Sequence, residues 1–132
     1  MNYLLDTHIL VWYLFDPNKL SKEVFDIIQN EKNHIYFSVI NLWEIQIKKS
    51  INYSNSSLND LTVDIIEAGF EPLPLFPKHL YVLDSLTLKN KEIQHKDPFD
   101  KVLIAQAKSN HMKLITHDHK LQHYDEDCIM YI

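Results

Sequence analysis

Glycine and arginine are nearly missing from this chain of 132 residues, which has one glycine, Gly69, and 13 basic residues that are all lysine. Average usage of roughly 7% would supply about nine glycines. A Walker loop, a dinucleotide-binding fingerprint and a nucleophile elbow each need two or more, so all three are excluded. Without guanidinium forks the chain is also poorly equipped to read sequence in a DNA groove, where bidentate arginine contacts are the commonest specific ones. A single cysteine, Cys128, forms neither an internal disulfide nor a thiolate zinc cage. No cleavable secretory signal is recognisable at the start, and the longest apolar stretches fall short of the roughly 18 residues that a bilayer span requires. The expectation is a soluble, cytoplasmic protein with no membrane partner.

What is present suits a packed core: 45% hydrophobic and 23% charged residues, close to an average soluble composition. The length predicts one domain over residues 1–132. Asn2–Leu5 reads as a short strand, and Thr7–Phe15, apolar almost all round, as a buried helix. Ser21 opens a second helix to about Asn33, and His34–Ser38 is β-rich. From Val39 to Lys49, Ile40, Trp43 and Ile47 recur at helical spacing and predict an inward face that embeds Glu44 among apolar residues. Residues 50–57 are polar turn formers, and Leu58–Ala68 resumes a helical period until Gly69 stops it. Phe70–Phe76, with Pro72 and Pro74, is limited to an edge strand or an extended segment. A helix from Pro77 to about Leu86, a charged loop over Thr87–Lys96, a helix over Lys101–His111 and strands at Leu114–Thr116 and Ile129–Ile132 complete the chain. This alternation predicts an α/β fold, a mostly parallel sheet of four to five strands with helices on both faces. Ligands of such folds bind at the carboxyl ends of the strands, where the strand order reverses.

Asp6 and Asp118 each fall at that end of a predicted strand, Asp97 and Asp100 open a helix, and Glu44 lies inside an apolar one. If the first strand and the Leu114 strand are neighbours, their terminal carboxylates stand about 5 Å apart. Carboxylates so crowded either take up protons or hold a hard cation. An oxygen-only set favours magnesium or manganese over zinc, and such ions align a phosphodiester and lower the pKa of a water. Each acid also has a purely structural reading. Asp97 before Pro98, with Asp100 three residues on, matches an N-cap, a first-turn proline and a capping-box acid. Asp6 and Asp118 suit caps, and Glu44 suits an i,i+4 pair with Lys48. The two readings are compatible, since helix N-termini aimed at one cleft offset carboxylate repulsion.

Four segments taken in order, Leu5–Trp12 (LDTHILVW), Ser38–Ile45 (SVINLWEI), His95–Ala107 (HKDPFDKVLIAQA) and Thr116–Asp118, resemble the PIN-domain ribonucleases of the VapC toxin type. The resemblance implies a PIN fold and a metal-dependent endoribonuclease using Mg2+ or Mn2+. It further implies the toxin of a type II toxin–antitoxin system, which cleaves single-stranded or loop RNA, forms a homodimer and is held inactive by a cognate antitoxin protein. By motif position Asp6, Glu44, Asp100 and Asp118 carry over as the metal-holding quartet, Asp97 as an additional acid and Thr116 as a supporting hydroxyl. His8 is placed near the cleft, and Lys48 and Lys101 are the candidate phosphate contacts. Lys96 and Lys101 stand where this subgroup usually has arginine, replacing a bidentate grip by point charges.

Other features have competing readings. His117, His119 and His123 could be zinc ligands or exposed polar residues. Trp12, Tyr13, Phe15 and Phe25 suit a core, although part of the first helix could instead form a dimer or antitoxin surface. A haloacid-dehalogenase-type phosphatase also places an aspartate after strand one, but its chemistry wants a second aspartate where this chain has His8. A catalytically silent PIN module that binds RNA or protein is the alternative. Of the 18 acids, five belong to the proposed cleft, which leaves 13 against 13 lysines, so a metal-loaded site would be far less hostile to RNA than the net charge of −5 suggests.

Overall fold

The apolar run Asn2–Leu5 (β1) forms the centre of a parallel sheet, between His34–Ser38 (β2) and Lys113–Thr116 (β4). Glu71–Leu73 (β3) and Ile129–Tyr131 (β5) close its two edges, giving the order β3-β2-β1-β4-β5. These elements come from a computed structural model that describes residues 1–48, 57–93 and 96–132. The chain winds outward one way through β1, β2 and β3 and then crosses to β4, so the order reverses between β1 and β4. Leu4 is in register with both Tyr36 and Leu114. The five-stranded parallel sheet agrees with the expected fold class, and β3, with its prolines, takes the edge position.

Six helices are present among the described residues: Thr7–Phe15 (α1), Lys22–Gln29 (α2), Val39–Lys48 (α3), Leu58–Glu67 (α4), Pro77–Tyr81 (α5) and Pro98–Ser109 (α6). Strand periodicity divides the core. Tyr3, Leu5, Ile35, Phe37 and Ile115 face α1, α2 and α4, while Leu4 and Leu114 face α6 through Leu103, Ile104 and Ala107. Local chemistry sets the helix ends: Ser21 caps α2 by accepting from the Val24 amide, Ser57 and Asp60 make a capping box on α4, and Gly69 takes a φ of 97° just past its end. No helix among the described residues is long and apolar enough to cross a membrane.

Several elements differ from expectation. Helix α2 stops at Gln29 rather than Asn33, and the helix expected from Pro77 to Leu86 breaks at Tyr81 into a 3-10 turn over Leu83–Ser85. Helix α6 runs from Pro98 rather than Lys101, with Pro98 in its first turn as the Asp97 cap reading expects. Phe15 and Phe25 are exposed rather than core, with Trp12 and Tyr13 half-buried. The predicted turn at 50–57, apart from Ser57, lies outside the described residues, as do Gln94 and His95.

The informative correction is in α3. Its buried face is Ile40, Asn41, Glu44 and Ile45, whereas Trp43 and Ile47, expected inward, are 54% and 60% exposed. Hydrogen bonds turn the helix. The Asn41 carbonyl oxygen accepts from the Ser38 amide at 2.7 Å, and its amide donates to the Leu5 carbonyl at 3.1 Å and to Thr7 Oγ1 at 3.0 Å. These groups sit at the carboxyl ends of β2 and β1, where unpaired buried polar atoms would be costly. Ser38 Oγ donates to Gln106 Oε1 at 2.6 Å, tying the same end to α6.

We expect Asn41→Ala to leave the buried Ser38 amide and Leu5 carbonyl without this partner and to lower folding stability by about 2 kcal/mol or more, measured by urea unfolding. An unchanged unfolding midpoint would refute this.

Candidate active site

Parallel pairing of β1 with β4 brings Leu5 opposite Ile115, and the Asp6 amide donates to the Ile115 carbonyl at 2.9 Å. Asp6 therefore leaves β1 beside Thr116, with Asp118 two residues beyond. Each of these acids also caps a helix or turn. Asp6 Oδ1 accepts from the Thr7 amide at 2.8 Å, and Asp118 Oδ1 accepts from the Lys120 amide at 3.0 Å. Asp6 Oδ2 accepts from Thr116 Oγ1 at 2.6 Å, and Thr116 Oγ1 in turn accepts from the Asp118 amide at 3.0 Å. The Thr116 hydroxyl thus fixes one carboxylate and the backbone that carries another.

Glu44 enters from α3, almost wholly buried. Its Oε1 accepts from Thr7 Oγ1 at 2.5 Å and its Oε2 from Lys48 Nζ at 2.6 Å. The structural and functional readings of this residue converge, because the i,i+4 pair with Lys48 exists and the carboxylate still faces the other acids. Asp100, at the third position of α6, is also buried. Carboxylate oxygens of Asp6, Glu44 and Asp100 all lie within 4.8 Å of one another.

The electrostatics follow from that crowding. Burial pushes the Asp100 carboxyl up to about 8, and the charges of Asp6, Asp97, Glu44 and Asp118 all push the same way. Burial likewise raises Asp6, although the hydrogen bonds from Thr116 and Thr7 and the nearby His8 work against it. Asp97 goes in the opposite direction. Partial burial would raise it, but the hydrogen bond from Lys48 and those from the Asp100 and Phe99 amides hold it below the usual carboxylate range. Both Asp97 oxygens are committed, Oδ1 to the helix cap and Oδ2 to Lys48 at 3.1 Å.

A family model of the PIN domain matches residues 3–127. The chain belongs to the PIN domain family. Solved structures share this PIN fold at low identity. VapBC2 from Rickettsia felis, bound to a DNA fragment from their promoter, gives a TM-score of 0.72 at 19% identity over 100% of this chain and 99% of that one. VapBC-1 from nontypeable Haemophilus influenzae gives 0.63 at 19% identity over 93% and 92%. VapBC-5 from Mycobacterium tuberculosis, a member of the VapBC family of toxin-antitoxin systems, gives 0.59 at 14% identity over 99% and 97%. No curated protein matches the chain at a significant level.

Within this PIN domain the donor set of Asp6, Glu44 and Asp100 fits a hard divalent cation: three carboxylates, buried, with converging oxygens. Asp118 is half-buried next to them, and Asp97 stands on the far side of Lys48. Lys101 is half-exposed on the first turns of α6, and His8 is exposed on α1 with its ring 5.9 Å from that of Trp12. Lys48, a candidate phosphate contact, is tied to Glu44 and Asp97. His117 stacks on Tyr131 rather than joining a cluster of three ligands among the described residues. The residues that sequence reasoning missed are the polar supports Thr7 and Asn41 and the buried Tyr124, whose hydroxyl is pushed up to about 12 by burial and by Asp100 and Asp97. A signal existed for Asn41, which precedes Glu44 by three residues on one helix face. None existed for Tyr124, 24 residues from Asp100.

The folded metal-free chain holds the Asp100 proton up to about pH 8, while the unfolded chain releases it near 3.8. Its stabilising contribution is therefore complete below the unfolded value and is lost as pH rises through the folded one. Without divalent ions, stability should fall from pH 5 to pH 9. Asp100→Asn should remove the part of that fall that belongs to Asp100, leaving the part that belongs to Asp6, and exceed the wild type at pH 9 by roughly 2 kcal/mol. Denaturant unfolding in chelator at both pH values checks this, and parallel pH profiles for the two proteins would refute it.

Proposed function

We propose that this PIN domain is a metal-dependent endoribonuclease, the toxin of a type II toxin–antitoxin pair, and that it cuts single-stranded or loop RNA. One observation carries the reading: three buried carboxylates from three separate elements converge at the point where the sheet order reverses, with a fourth beside them. A folded chain that accepts such repulsion in a cleft is built around a cation rather than around stability.

Asp6, Glu44 and Asp100 would hold the ion, with Asp118 adjoining. Magnesium or manganese, when bound, supplies charge that neutralises a phosphodiester and makes a water acidic enough to attack phosphorus. The chain does the positioning. Thr116 locks the Asp6 carboxylate, Thr7 locks that of Glu44, and Asn41 holds the Thr7 hydroxyl. Lys101 offers a point charge to the substrate phosphates from the same helix as Asp100, and exposed His8 lies near the cleft as a further contact. With no arginine in the chain, ground-state grip on RNA rests on lysine and the ion.

A protein partner is supported from two sides. The structures of similar fold include VapBC2, VapBC-1 and VapBC-5, the last a member of the VapBC family of toxin-antitoxin systems. The chain also exposes Val39, Trp43 and Leu75 on an apolar groove of about 610 Å3 along α3 and β3, more apolar surface than a lone domain needs. We assign this face to a protein partner, whether a cognate antitoxin or a second copy, and place the activity in the cytoplasm.

Purified protein should cleave RNA with Mg2+ or Mn2+ and lose that activity in chelator. Asp6→Asn should abolish cleavage while the circular dichroism stays native, and Thr116→Val, which frees the Asp6 carboxylate, should slow it by about 10- to 100-fold. Undiminished cleavage by Asp6→Asn would overturn the reading. Expression should arrest growth, and co-expression of an adjacent small open reading frame should relieve the arrest; unarrested growth with active protein present would argue against a toxin.

A further inference from the structure

Lys48 has more partners than a surface lysine needs. Its Nζ donates to Glu44 Oε2 at 2.6 Å and to Asp97 Oδ2 at 3.1 Å, joining α3 to the cap of α6 across 49 residues of sequence. The ammonium also stands 5.5 Å from the centre of the Phe99 ring, which Trp43 braces edge-on at 5.0 Å. The remaining oxygens of these two acids are committed as well, Glu44 Oε1 to Thr7 and Asp97 Oδ1 to the Phe99 and Asp100 amides.

We propose that Lys48 is a built-in counter-cation that limits the acidic site to one divalent ion. The proposal rests on the metal-dependent reading above. Two-ion nuclease sites set their metals about 3.5–4 Å apart and share carboxylates between them. Here the oxygens of Asp6, Glu44 and Asp100 fall within a 4.8 Å span that suits one ion. The next carboxylate on the Glu44 side is Asp97, and the space between Glu44 and Asp97 is filled by the ammonium. Lys48 supplies there the positive charge that a second ion would bring. A lysine one helical turn beyond Glu44 thus helps set the metal count of the site.

The test counts ions and does not read RNA cleavage. Chelator-treated full-length chain is titrated with Mn2+, with bound ions counted by calorimetry and by the electron paramagnetic resonance of free Mn2+. Wild type and Lys48→Arg should bind one Mn2+ per chain. Lys48→Met and Lys48→Gln should bind two, the first about tenfold more tightly because a nearby like charge is gone. Thr7 still holds Glu44 in these variants, so the carboxylate stays in place. Two ions on the wild type, or one ion on both neutral variants, would overturn the role of Lys48 while leaving a metal-dependent nuclease intact. Failure of both neutral variants to fold would make Lys48 a structural residue and overturn the proposal too. A chain that binds no Mn2+ in any form would overturn the metal-dependent reading together with this one.

Discussion

Repulsion among Asp6, Glu44, Asp97, Asp100 and Asp118 is the constraint on which the rest of the structure depends. All four of the other acids act on Asp100, and burial adds to their effect. Left uncompensated, such a cluster would drive its segments apart or force protons onto them. The fold answers with directed donors. The Thr7 and Thr116 hydroxyls and the amides at the starts of α1 and α6 each point at one carboxylate oxygen, and the Lys48 ammonium at two. The Asp100 carboxyl is still raised by burial and by the four neighbouring charges, so added positive charge would be felt most there.

The same donors account for features of the fold that hydrophobicity alone does not. Helix α3 turns Asn41 and Glu44 inward and leaves Trp43 and Ile47 in solvent, because Asn41 closes the hydrogen bonds at the ends of β1 and β2. Burying Trp43 instead would gain apolar area but would leave the Ser38 amide and the Leu5 carbonyl without that partner. The exposed apolar residues of α3 then become available to a partner, so one set of polar bonds shapes both the cleft and the outer face.

Much of this was legible in the chain. The short apolar strands, the alternation with helices, the Pro72–Pro74 edge and the Gly69 stop follow from backbone preferences that act over a few residues. The capping aspartates Asp6, Asp97 and Asp118 were readable for the same reason, and Glu44 stood out as a charge on an apolar helix. The rotation of α3 was not legible, because a helical apolar pattern does not record where the polar partners of a neighbouring strand will lie. Tyr124 was missed because the acids that act on it, Asp100 and Asp97, are 24 or more residues away, and the Lys48–Asp97 bond because its partners are 49 residues apart.

The sequence by itself determined the chemistry available: oxygen ligands without a thiolate cage, lysine without arginine, and no glycine loop to cradle phosphate. It also determined where each strand ends and which acid follows it, since those are local properties of the chain. Only the tertiary structure decided that β1 and β4 are neighbours, which sets Asp6 beside Thr116, and that α3 and α6 meet with Lys48 between Glu44 and Asp97. Strand order and helix rotation are fixed by packing and long-range hydrogen bonds, whose energies depend on pairs that the linear chain keeps far apart.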